Sequence, residues 1–198
     1  LMKNFGFSGY LDDVIYVGTN GKMNEFSALT GLTNLESIDG FISVNRKNYE
    51  LYTYELSNIP GITQIRYDQQ EKNNYQYIVL EIDESVTGVT RDQLVDILRA
   101  DNVLARRYFY PGCHRMEPYR SYFPHAGLVL PETEKLVQRV LSLPTGTAVG
   151  ADEIQEICQI IRLAVLNGLE INDRLSGSFS VKPQHFTSLK DLPVLLAA

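Results

Sequence analysis

Gly18-Thr19-Asn20-Gly21-Lys22-Met23-Asn24-Glu25, read together with Arg107-Tyr108-Phe109-Tyr110-Pro111-Gly112-Cys113-His114, decides how this chain folds and what it handles. In the first stretch two glycines flank an asparagine. Backbone can approach a ligand closely there, and the side-chain amide offers two donors that suit a phosphate oxygen. In the second, a strand-like run from Val103 stops at Pro111-Gly112. The ring-rich turn that follows can present a hydroxyl and an imidazole to a polar ligand.

Working outward, Val14-Ile15-Tyr16-Val17 reads as a short strand. From about Lys22 to Asn58 the pattern is helical, with Met23, Phe26, Leu35, Ile38, Ile42, Tyr49, Tyr52 and Leu56 marking apolar faces. Gly31 and Gly40 predict a break into two or more helical pieces, and Pro60-Gly61 predicts a turn. Strands are expected over Ile62 to Tyr67, Tyr75 to Ile82 and Val103 to Tyr110. Thr90-Arg91-Asp92-Gln93 has the form of a capping box. Pro131 opens a helix whose stripe is Leu136, Val137, Val140 and Leu141, and Leu143-Pro144 stops it. A further helix runs from about Asp152 to Leu166, with Ile154, Ile157, Cys158, Ile161 and Val165 on one face. From Asn172 onward Gly, Ser and Pro return, and the tail is expected to be irregular. Mixed helices and strands after one long helical connector make an α+β chain.

The 198 residues, 44% hydrophobic and 21% charged, are enough for a real core. A net charge of -6 argues against a nucleic-acid surface, which needs clustered Lys and Arg. No apolar run approaches the ~20 residues of a membrane span, and no signal peptide opens the chain. Cys113 and Cys158 are too few for a disulfide scaffold, which points to a reducing cytoplasm. They also combine with no histidine at zinc-site spacing, so no metal is expected. An opening Leu in place of Met reads as a fragment or a processed product.

In this order, the two quoted stretches resemble the second half of the pyridoxal-phosphate-dependent nucleotide-sugar aminotransferases of the DegT/StrS type. The resemblance runs from Asn4-Phe5-Gly6-Phe7 to about Leu166. It implies the small C-terminal domain of an aspartate-aminotransferase-like, fold type I enzyme, with the end of the large domain and a long connecting helix before it. The corresponding divisions are 1–21 for the end of the large domain, 22–58 for the connecting helices, 59–170 for the small domain and 171–198 for the tail. The implied activity converts a nucleotide-linked keto-sugar to an amino-sugar, with glutamate as the expected amino-acid donor. A homodimer with each active site built across the interface is implied too.

The same resemblance assigns residues. Asn20, with Gly18 beside it, is expected to reach the cofactor phosphate of the neighbouring subunit; the competing role is capping the helix that starts near Lys22. Lys22 stands where the family often has Arg and keeps the charge without the planar fork; otherwise it is a solvated first-turn lysine. Tyr108 and His114 lie at an aromatic-x-Pro-x-x-His pattern that the family carries on the sugar-nucleotide side of the pocket, and the Arg115 guanidinium beside them suits a diphosphate. Arg106 and Arg107 are further guanidinium groups that suit a diphosphate, with Arg106 the better candidate for plain solvation. A lone loop histidine is otherwise a surface or structural residue. The lysine that holds the cofactor precedes a Gly-Gly stretch in the family, and Lys3, Lys22, Lys47, Lys72, Lys135, Lys182 and Lys190 lack that setting. It is expected upstream of Leu1, so no catalytic residue is expected within the chain, and the chain alone is expected to be inactive. The competing reading is a non-catalytic ligand-binding or dimerisation module without the cofactor half. A free-standing regulatory domain is a third, and would make the motif matches accidental.

Overall fold

No proline falls between Glu25 and Leu56, and helix α1 (Glu25–Leu56) runs through all 32 residues unbroken. The expected break at Gly31 and Gly40 does not occur. A glycine costs a helix about 1 kcal/mol relative to alanine but removes no backbone hydrogen bond, as proline would. The hydroxyls of Thr30, Thr33 and Ser37 donate to the carbonyls of Phe26, Leu29 and Thr33 along the same helix. The computed structural model describes residues 17–175, in two compact units divided between Phe41 and Ile42. The strand expected over Val14 to Val17 falls almost entirely outside the described residues.

In the first unit α1 buries nothing. Met23, Phe26, Leu29, Leu32, Leu35, Ile38 and Phe41 are all exposed.

The second unit contains a four-stranded antiparallel sheet in the order β1-β2-β4-β3, formed by β1 (Ile62–Gln64), β2 (Ile78–Ile82), β3 (Arg106–Arg107) and β4 (Val140–Leu143). Ile78 lies opposite Leu143 and Leu80 opposite Leu141, so these side chains share one face. That face is covered by the end of α1 (Tyr52, Leu56), by α3 (Arg91–Ala100; Leu94, Val95, Leu98) and by α7 (Ala151–Leu166; Ile154, Ile157, Cys158, Ile161). Burying each large aliphatic side chain contributes about 1.5–3 kcal/mol. The end of α1 is also fixed by polar contacts. The buried Asn48 amide donates to the carbonyls of Gly146 and Val149 and to the Thr145 hydroxyl, and the Tyr52 hydroxyl to the Pro144 carbonyl.

Four short helices, α2 (Glu84–Thr87), α4 (Tyr119–Tyr122), α5 (Ala126–Val129) and α6 (Pro131–Val137), connect these elements, and α8 (Gly168–Leu175) follows α7. Thr90 caps α3 as read: its hydroxyl accepts from the Gln93 amide while the Gln93 side chain accepts from the Thr90 amide. Helix α7 has the expected limits within one residue.

Three expectations are corrected. The stripe Leu136, Val137, Val140, Leu141 is not one helix: α6 ends at Val137, and Val140 and Leu141 begin β4, the strand between β2 and β3. The strands are shorter than read, and the one expected from Val103 to Tyr110 is reduced to Arg106–Arg107. Residues 172–175 are helical where irregular chain was expected. Among the described residues no helix is long and apolar enough to cross a membrane.

Candidate functional site

Residues 18–25 and 107–114 fall in different units. In the first, the Gly21 amide donates to the Thr19 carbonyl at 3.0 Å, which folds 18–22 into a tight turn. Asn20 and Lys22 are exposed and Gly18 is half-buried. Helix α1 starts later than the sequence indicated, and its cap is Asn24, whose side-chain oxygen accepts from the Ser27 amide at 2.8 Å. Capping is therefore done by Asn24, and the Asn20 amide stands apart from that bond.

The second stretch leaves the sheet through β3, which pairs with β4 (Arg106 opposite Ser142, Arg107 opposite Leu141). Phe109 then turns the chain with a φ of 45°, in the left-handed region that bulky residues rarely adopt. Its ring lies on Tyr108 with centroids 4.5 Å apart, and Tyr108 in turn meets Tyr77 edge-on at 5.4 Å. Burial, then the neighbouring Tyr77 and Tyr67 phenols, push the Tyr108 hydroxyl above its ordinary pKa. The Gly112 amide donates to the Phe109 carbonyl and closes the turn. Gly112 has a φ of 98°, and a Cβ there would stand 2.7 Å from His114 Cε1. Only glycine lets the imidazole fold back so closely.

That fold-back delivers His114 to Glu134 on α6. His114 Nε2 is 2.5 Å from Glu134 Oε1, and Arg115 holds the same carboxylate with two bonds, Nε to Oε1 and Nη2 to Oε2, both 2.6 Å. The hydrogen bonds from Arg115, then His114, hold the Glu134 carboxyl down at about 2. His114 is nearly covered while Arg115 stays 53% exposed at its side chain, so the outer part of the fork still meets solvent. On the other flank of the loop Arg107 lies 4.6 Å from the Tyr110 ring centroid and 3.8 Å from Asp92 on α3.

The structure thus brings His114 and Arg115 together on one carboxylate and holds Tyr108 in an aromatic stack. It places Arg106 on an exposed strand edge, in the solvated position favoured for it. The sequence reading missed Glu134 and Asp92. Asp92 sat inside the capping box and nothing local singled out Glu134, and neither lies close in sequence to the residues of the second stretch that it holds. Among the described residues no group of three metal-ligating side chains comes together. What the loop can do chemically is donate: phenol, imidazole and guanidinium groups are gathered on one turn, beside the exposed thiol of Cys113.

The sequence pattern described as "DegT/DnrJ/EryC1/StrS aminotransferase family" matches residues 1–162. The dTDP-4-amino-4,6-dideoxy-D-glucose transaminase of Escherichia coli is 34% identical over 160 residues, covering 81% of this chain and 43% of that protein. The GDP-perosamine synthase of Vibrio cholerae is 25% identical over 146 residues, covering 74% of this chain and 38% of that protein. Among solved structures, DesI in the presence of its TDP-sugar product superposes with a TM-score of 0.79 at 43% identity, over 88% of this chain and 44% of that one. The chain spans less than half the length of the curated relatives it matches.

Proposed function

The chain belongs to the DegT/DnrJ/EryC1/StrS aminotransferase family, and from that membership we propose that it carries the C-terminal part of a pyridoxal-phosphate-dependent nucleotide-sugar aminotransferase. The observation that carries this reading is the likeness to DesI and to the E. coli transaminase, both of which by name handle TDP- or dTDP-linked sugars. The substrate class is accordingly a keto-sugar on a nucleoside diphosphate, with glutamate as amino donor and the cytoplasm as the setting. Residues 1–21 close the large cofactor domain, 22–58 connect, 59–170 form the small domain and 171–198 the tail.

The exposed residues of α1 support the connecting role. Apolar side chains at 26, 29, 32, 35, 38 and 41 recur every three residues. At 3.6 residues per turn that spacing drifts by about 60° per step, so the apolar surface winds around the helix. A stripe that winds in this way cannot be buried by one flat neighbour and suits a helix met from more than one side, here by the remainder of the enzyme and by a second subunit.

The cofactor's phosphate fits what the first stretch offers: an amide donor on a tight Gly-flanked turn, free of the capping bond that Asn24 makes. Asn20, with Gly18 allowing close approach, would hold that phosphate in the neighbouring subunit of a homodimer. The described lysines, Lys22, Lys47, Lys72 and Lys135, are all exposed and offer no enclosed site for the carbonyl end. Bound pyridoxal phosphate supplies the electron sink that amino-group exchange needs. The chain's own residues bind and orient. Tyr108 and His114 face the hexose, Glu134 keeps the imidazole in place, and the outer guanidinium edge of Arg115 meets the diphosphate. Lys22, on the first stretch, is a separate candidate for substrate contact.

Joining this chain to the preceding part of the E. coli transaminase tests the proposal. The hybrid is expected to aminate a dTDP-linked keto-sugar using glutamate, and Asn20→Ala to weaken cofactor retention by about tenfold to a hundredfold through one lost phosphate donor. A folded, cofactor-bound hybrid that aminates no nucleotide sugar would leave the chain as a binding or dimerisation module.

A further inference from the structure

Arg91 is the first residue of α3, and it is 2% exposed. Burying a cation is costly, and the amino end of a helix, where the macrodipole is positive, is an unfavourable place for one. For stability alone, an apolar side chain would serve at least as well. The bonds that offset the cost all lead towards the 108–115 loop. Nη1 donates to the carbonyls of Val137 and Val140, 2.9 and 2.6 Å away, where α6 passes into β4. The Val140 carbonyl also accepts from the Tyr108 amide at 3.5 Å, at the base of the loop. Nε donates to Asp92, the carboxylate that pairs with Arg107. Nη2 is buried without a hydrogen-bond partner among the described residues. The guanidinium carbon lies 5.2 Å from the centroid of the Tyr110 ring, which Arg107 also approaches. A ring face attracts a desolvated guanidinium through its negative quadrupole.

We propose that Arg91 is the positioning residue of the candidate loop: its buried guanidinium joins the start of α3, the α6–β4 junction and the Tyr110 ring, and so fixes where Tyr108, His114 and Arg115 stand. The loop is then held from two sides, by Glu134 through His114 and Arg115, and by Arg91 through the sheet and Tyr110. Asp92 and Arg107 complete the second hold. The role in substrate handling rests on the transaminase reading, whereas the positioning itself is read without substrate.

The test uses the full 198-residue chain carrying Arg91→Lys or Arg91→Met. Amide hydrogen exchange is followed at 108–115 and at 154–161 in α7. The Tyr110 ring resonance is followed in tyrosine-labelled protein, with Tyr110→Phe as the assignment control. Arg91→Met is expected to speed loop exchange about tenfold relative to α7 and to move the Tyr110 signal, the pattern of local opening. Lysine can donate to the two carbonyls but has no planar fork, so Arg91→Lys should recover most of the thermal stability while the Tyr110 signal stays displaced. Should Arg91→Met fail to fold, Arg91→Lys alone decides. Equal acceleration in loop and α7, or an unmoved Tyr110 signal in the variant that folds, would reduce Arg91 to a structural tie. Failure of the hybrid to aminate leaves this result untouched, so the two ideas fail separately.

Discussion

Glu134 holds three donors from two consecutive residues, His114 and Arg115, and its chemistry makes the loop sensitive to acid. Its carboxyl is held at about 2 in the folded chain, against an ordinary value of about 4.3. A depressed carboxyl contributes its stability in full above the unfolded value, and that contribution is lost as pH falls through the folded one. The hold on 108–115 should therefore weaken between about pH 4.3 and about pH 2, with Glu134→Gln weakening it at neutral pH and flattening the acid response. Amide exchange in the loop, corrected for the intrinsic pH dependence, reads this directly; a wild-type profile no steeper than that of Glu134→Gln would refute it. The sequence displayed His114 and Arg115 plainly, because their pattern is local. It could not display their partner, because α6 reaches them through the fold, after intervening turns of chain. The same holds for Asp92 and Arg91, which look like capping residues until β4 is seen beside them.

At the scale of elements, the joint between α7 and α8 depends on one close approach. A Cβ on Gly168 would stand 2.1 Å from the Thr87 carbonyl oxygen at the end of α2. Backbone cannot give way as a side chain would, so Gly168→Ala should cost about 1–3 kcal/mol, the usual penalty of overpacking. It should lower the melting temperature, while Gly40→Ala, with open space around its Cβ and no left-handed backbone to strain, controls for added bulk. Equal melting temperatures for Gly168→Ala and the parent would sink the idea. Elements legible in the sequence were those whose signals are local: the Thr90 cap, the five-residue face of α7, the stop at Pro60-Gly61. Strand β4 was not. Val140 and Leu141 continue the i, i+3, i+4 rhythm of Leu136 and Val137, and only pairing with β2 and β3 converts them to a strand. Nor was the length of α1 legible, since two glycines lower helix propensity without a clash to enforce a break.

Across the whole molecule, the described lysines are exposed. A carbonyl-trapping lysine owes its reactivity to desolvation or to a neighbouring cation that lowers its pKa. Pyridoxal phosphate added to this chain and reduced with borohydride should therefore label Lys22, Lys47, Lys72 and Lys135 weakly and without preference. One stoichiometric label at any of them, read by peptide mass spectrometry, would overturn this account. The strand order β1-β2-β4-β3 has another effect, on the timing of synthesis. Among the described residues strand β3 pairs only with β4, and Arg106 finds its partner at Ser142. A nascent chain that has emerged only as far as Arg115 carries the whole 108–115 loop with no sheet to hang it on, and leaves one edge of β2 open to stray pairing. The loop takes its shape only after Glu134 and then Val140–Leu143 have left the ribosome, so the candidate loop folds later than its own place in the chain.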